Sequence, residues 1–112
     1  MIARMWHGVT PLERAEAYLD FLQQRALPDY SSVPGNRAAY VLWRAQGDQA
    51  HFVTLTFWDS IEAVRAFAGA DVDQAKYYPE DRGFLIEFEP TVQHFQVHSL
   101  EADSPRSPGL GP

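Results

Sequence analysis

The side chains with chemical potential in this chain are few, because cysteine is absent. His7 and His94 carry imidazoles that titrate near neutral pH and can serve as general bases, although hydrogen-bonded structural histidines are the plainer reading. Tyr77 and Tyr78 stand together before Pro79. Adjacent side chains point in different directions, so one phenol should face any pocket there, as a proton donor or an orienting group. The plainer reading is a wall residue whose hydroxyl reaches solvent. Trp6 and Trp58 can stack on a flat ligand, or anchor a core or a subunit interface. Arg4 can hold a phenolate or carboxylate, or pair with a structural carboxylate, including one on a partner subunit. Asp29, Glu80 and Asp81 read as loop charges.

Other chemistries lack their residues. Without cysteine there is no thiol nucleophile, Fe–S cluster or Cys-based zinc site. His94 and His98 have helical i, i+4 spacing, but on a strand their Cα atoms stand ~13 Å apart, too far for one metal. No H-E-x-x-H or G-x-S-x-G pattern occurs, and Gly109-Leu110-Gly111 is no phosphate loop. We therefore expect no metal and no cofactor.

The 112 residues are enough for one domain. With 46% apolar and 13% aromatic residues, a packed core is assured. Nine basic residues, eight of them arginine, face fifteen acidic ones for a net charge of −6, which argues against nucleic acid as a partner. No apolar run reaches the ~20 residues of a membrane span, and the N-terminal residues do not resemble a signal peptide. A cysteine-free chain of this kind is expected in the cytoplasm.

The elements follow from pattern and punctuation. Ile2 to Gly8 reads as a strand. Thr10-Pro11-Leu12-Glu13 should open a helix, with Thr10 as cap and Pro11 at the first position. Leu12, Ala15, Leu19, Leu22 and Ala26 line one face of that helix, which Pro28 should end. Ala38–Arg44 and His51–Trp58 read as strands around a loop from Ala45 to Ala50. Asp59 or Ser60 caps a second helix whose buried stripe is Ile61, Val64, Phe67 and Ala68, and Asp71 to Tyr77 could add a further helical turn. Phe84, Ile86 and Phe88 alternate before Pro90, and Thr91 to Val97 reads as the last strand. The order β-α-β-β-α-β predicts an α+β, ferredoxin-like protomer with a four-stranded antiparallel sheet and both helices on one face. It should span residues 1–98, with 99–112 a solvated extension rich in proline, glycine and serine.

Both faces of that sheet are apolar. Val53, Leu55 and Phe57 alternate with Phe52, Thr54, Thr56 and Trp58, and Tyr40 and Leu42 alternate with Val41 and Trp43. A wetted face would be polar at every other position, so a second copy of the chain is the expected cover.

With Met1-Ile2-Ala3-Arg4-Met5-Trp6, Trp58-Asp59-Ser60 before a helix, Tyr77-Tyr78-Pro79-Glu80-Asp81 and Glu89-Pro90-Thr91-Val92, the chain resembles the antibiotic biosynthesis monooxygenase family from Met1 to about His98. The resemblance implies a dimeric α/β barrel of two ferredoxin-like protomers, with a pocket in each between the sheet and the second helix. The implied activity is cofactor-free insertion of an O₂-derived oxygen into a small, electron-rich aromatic of phenol or quinol type. Trp6, Trp58 and Phe67 would then be apolar walls, Arg4 the anion partner, Tyr77 or Tyr78 the proton donor and His7 or His94 the base. The family also holds haem-degrading members, with an asparagine on the first strand and a tryptophan ten residues before an axial histidine. Here the sole asparagine is Asn36, and Phe67 and Tyr77 occupy the spaced pair. That departure speaks against haem degradation, while tyrosine remains able to ligate haem iron. A non-catalytic, small-molecule-binding or stress-related dimer of the same fold is the alternative.

Overall fold

A computed structural model describes residues 1–100; all but the first two residues of the expected C-terminal extension lie outside the described residues. Five strands form one antiparallel sheet: β1 (Ile2–Pro11), β2 (Asn36–Gln46), β3 (Gln49–Trp58), β4 (Glu87–Phe88) and β5 (Gln93–Gln96). The spatial order is β2-β3-β1-β4, with β5 also paired to β1. β4 and β5 share one edge position, because Gly8 faces Phe88 whereas Met5 faces Gln93. The ladder breaks between them around Pro90, which has no N–H to give. The result is the four-position ferredoxin-like sheet that the element order predicts.

Several boundaries differ from the sequence reading. β1 runs on to Pro11, so Thr10 is a strand residue and its hydroxyl bonds the Pro11 carbonyl instead of capping a helix. The β2–β3 hairpin closes in two residues, Gly47 and Asp48, with Gln46 paired to Gln49. Gly47 takes φ 62°, which the first central residue of such a turn requires. Asp71 to Tyr77 forms turns and a single bridge from Gln74 to Thr91 in place of a helical turn.

The first helical segment also passes Pro28. A 3₁₀ turn (Leu12–Arg14) leads into α1 (Ala15–Phe21), a π-helical turn (Leu22–Ala26) and α2 (Leu27–Ser31). In the π turn the Leu27 N–H bonds the Leu22 carbonyl five residues back. This widened turn hands the chain to a new helical segment in which Pro28 occupies the first turn, where its missing donor costs little. After β3, α3 (Ile61–Ala68) begins at Ser60, whose side chain accepts from the Ala63 N–H. Val64 and Phe67 of α3 are buried.

The helices cover one face of the sheet. Arg4, Trp6, Phe52, Thr54, Thr56 and Trp58 point into that layer and are buried. Tyr18, Leu22 and Ala26 meet Trp6 and Phe52 there, and Trp58 packs with Val64 and Phe67 nearby. On the opposite face Met5, Val53, Leu55 and Phe57 are half-buried, while Tyr40, Leu42 and Phe95 are 56%, 49% and 48% exposed.

Candidate functional site

A cavity lies between the helical layer and the sheet, roofed by the irregular stretch before β4. Its walls include Arg4, Trp6, Thr54, Phe67, Tyr77 and Tyr78, closed above by Tyr18, Tyr30, Lys76 and Asp81. The enclosed space is about 20 Å³, room for one water.

Strand alternation dictates who faces the cavity. Arg4 and Trp6 share one side of β1, and Thr54 lies opposite Trp6 on β3. Arg4 is 5% exposed and donates from Nη2 to the carbonyls of Gln74 (2.8 Å) and Val72 (3.5 Å). Its guanidinium lies 5.7 Å from the Phe67 ring centre. It makes no ion pair among the described residues, and its Nε is buried without a hydrogen-bond partner. Burial lowers its pKa, although a guanidinium stays charged.

Trp6 donates from Nε1 to the Tyr77 hydroxyl (2.9 Å) and to the Glu89 carbonyl (3.2 Å). Tyr77 donates to that same carbonyl, and its ring meets Trp6 edge-on. Tyr78 donates to Asp29 at 2.5 Å while Arg25 lies over its ring. Burial pushes both phenols above their ordinary range. Both adjacent tyrosines line the cavity, so neither is only a solvent-facing wall residue.

The other named residues stand apart. Trp58 is fully buried behind the cavity, packed on Phe67 and Tyr30 and donating to Thr56 Oγ1 (2.8 Å). His7 faces the opposite side of the sheet, stacked on His51, with Nε2 3.0 Å from His51 Nδ1 and Nδ1 3.3 Å from Glu89. His94 pairs with Arg4 in the β1–β5 register, so the two histidines sit on opposite faces. His94 Nδ1 is 3.3 Å from Asp73 and its Nε2 is buried without a partner. Burial, then the Arg4 charge, lowers its pKa and keeps it neutral. Among the described residues no cluster of three metal-binding side chains occurs, and Asn36 is spent on the carbonyls of Ala38 and Phe57.

Several polar cavity residues escape the sequence reading. Tyr18 lies three after Ala15 and four before Leu22, so helical periodicity could have found it. Thr54 shares the Trp58 face of β3 by simple alternation. Tyr30 sits beyond Pro28, where the helix was expected to have ended, and burial raises its pKa. Lys76 comes from irregular backbone and Asp81 from a short 3₁₀ turn, neither with a periodic signal. Asp81 is 6% exposed and accepts from the Tyr18 hydroxyl (3.1 Å) and the Tyr78 N–H (2.7 Å).

Residues 3–75 match the antibiotic biosynthesis monooxygenase family, and the chain belongs to it. A Bacillus cereus protein carrying the same family designation superposes with a TM-score of 0.63 at 12% identity, covering 90% of this chain and 96% of that one. The heme-degrading MhuD of Mycobacterium tuberculosis, with two hemes in its active site, gives 0.61 at 18%, covering 91% and 100%. A monooxygenase from the Streptomyces coelicolor gene ActVA-Orf6, in complex with Nanaomycin D, gives 0.57 at 18%, covering 92% and 91%. At such identities these likenesses establish the fold alone. No curated protein matches the chain in sequence.

Proposed function

We propose that this protein oxidises a small, electron-rich aromatic compound of phenol or quinol type with O₂, without metal or flavin, in the cavity between sheet and helices. The observation that carries the reading is Arg4, a buried cation with no ion-pair partner of its own in an aromatic-walled cavity. Such a charge is costly to bury, and an anionic oxygen is the group that would offset it. A phenolate is rich enough in electrons to reduce O₂ itself, so the protein need only hold it dry and manage protons. For a ring methylene activated by such a phenolate, one oxygen atom becomes the new carbonyl and the other leaves as water. The substrate supplies all four electrons.

In this reading Trp6 and Phe67 are the flat walls and Arg4 holds the phenolate. Tyr77 and Tyr78, with hydroxyls already engaged, orient the substrate and return a proton to the reduced oxygen. His94 supports the Arg4 side of the cavity. His7 and Trp58 take no part in it. The unit is residues 1–98, and two copies pair through their open sheet faces, which explains the exposed Tyr40, Leu42 and Phe95. The cytoplasm suits a cysteine-free chain.

Oxygen uptake with a panel of hydroquinones and anthrones tests the proposal. Turnover by the wild type, reduced at least tenfold in the Tyr77→Phe, Tyr78→Phe double variant, is the expected result. The water-sized enclosed cavity favours a second reading, a non-catalytic dimer that binds a small molecule. Silence across the panel together with tight binding of a non-aromatic metabolite would establish that one instead.

A further inference from the structure

We propose that Asp81 is the proton acceptor of the cavity, its carboxylate taking the hydroxyl proton of a bound phenol and leaving the phenolate to Arg4. The inference rests on the aromatic-site reading above and assigns the base that reading lacks.

Asp81 belongs to a 3₁₀ turn, Pro79–Gly83, where its side chain bonds the Tyr78 N–H as a cap does. Capping accounts for one oxygen, and capping side chains do their work at the surface. It accounts neither for the 94% burial implied by 6% exposure nor for the second oxygen, which accepts from Tyr18. A carboxylate has about four acceptor positions, so two protein donors leave room for a ligand hydroxyl. Among the described residues Asp81 forms no ion pair. The titratable groups facing it are Tyr18 from α1, Tyr30 from α2, Arg25 from the π turn, and Tyr77 and Glu80 from its own segment. Arg25 among them is engaged by Glu80 at 2.5 Å, and Lys76, which lines the same cavity, by Asp29 at 3.6 Å.

Burial pushes the Asp81 carboxyl above its ordinary range, opposed by the hydrogen bonds from Tyr78 and Tyr18. Both Asp81 and Arg4 line the same cavity. In the transfer the substrate O–H bond breaks, the proton passes to a carboxyl oxygen of Asp81, and the electron pair stays on the phenolate oxygen. Negative charge moves from Asp81 to the ligand and no net charge is added to the cavity. A base with a carboxyl nearer neutrality is also better matched to a phenol.

The probe is 4-nitrophenol, whose phenol and phenolate absorb at different wavelengths, titrated with protein below the pH at which it ionises in water. The wild type is expected to bind it with the phenolate band and without net proton release, read by calorimetry in two buffers of different ionisation enthalpy. Asp81→Asn is expected to bind it as the phenol, with the phenolate band reduced tenfold or more. An equal phenolate fraction in that variant, or release of the proton to buffer by the wild type, overturns the assignment. If the wild type does not bind the probe, the aromatic-site reading falls, and carboxyl NMR of the ligand-free protein judges Asp81 alone. There its titration should lie above the ordinary aspartate range and move higher in Tyr18→Phe. Titration in the ordinary range in both proteins overturns the proposal.

Discussion

Arg4 and Asp81 are buried in the walls of one cavity, each hydrogen-bonded to neutral groups, with Asp73 the carboxylate that acts on the first and Arg25 the cation that acts on the second. Replacing Arg4 by Gln keeps hydrogen-bonding capacity and removes the charge. We expect Arg4→Gln to bind 4-nitrophenolate at least tenfold more weakly, in line with the roughly 1.5–3 kcal/mol of a charged hydrogen bond. Absorbance titration measures it, and unchanged affinity would remove Arg4 from the site. His94 gives a separate expectation with pH. Its folded pKa lies below its unfolded value near 6.5, so the unfolded state binds the proton first as pH falls. The wild type should therefore lose stability on acidification below about 6.5, the unfolded value, and His94→Gln should lose less over the same interval. Melting temperatures for both proteins between pH 8 and pH 5 decide the matter, and parallel curves would contradict a buried neutral imidazole.

At the scale of elements, the cavity depends on how closely β1 lets its own side chains approach. A Cβ on Gly8 would stand 2.3 Å from Cη2 and 2.7 Å from Cζ2 of Trp6. Gly8→Ala must therefore push the indole off its bonds to Tyr77 and Glu89. We expect a loss of about 1–3 kcal/mol from overpacking, read from urea midpoints, and a changed indole fluorescence. A wild-type spectrum with unchanged stability would show the contact to be soft. How much of this was legible in sequence depends on the element. β1, β3 and α3 announce themselves through alternation and the Ser60 cap, which is why Trp6, Arg4 and Phe67 could be named. Tyr30 was obscured because Pro28 reads as a helix stop and the π turn that carries the chain past it leaves no periodic signal, whereas Tyr18 was within reach of helical spacing. Asp81 was obscured for a different reason: an acidic residue in a loop looks solvated until the fold buries it. His7 shows the opposite failure. It is a plausible base by type, but strand parity turns it away from the cavity.

For the whole molecule, the open face of the sheet sets the expected state of association. Met5, Val53, Leu55 and Phe57 form its centre, and β2 and β5 add Tyr40, Leu42 and Phe95 at its margins. A continuous apolar surface of this kind fits the proposed pairing of two copies. Light scattering at micromolar concentration should give the mass of two chains. Leu55→Glu should give that of one, with the helix-side core intact by near-UV circular dichroism. A wild-type mass of one chain would abolish the proposed pairing. No helix among the described residues is long and apolar enough to cross a membrane.

The outer margin of β2 has a further consequence. Eleven residues long, it pairs with β3 on one side and leaves the other side's backbone donors and acceptors open, along Ala38-Ala39-Tyr40-Val41-Leu42-Trp43. Such a margin is a template onto which strands from other molecules can zip, the route by which sheets grow into filaments. Arg44 stands at one end of that stretch as a charge that works against stacking copies in register, whereas Arg37 at the other end is already paired with Asp59, so the guard against such growth is lopsided.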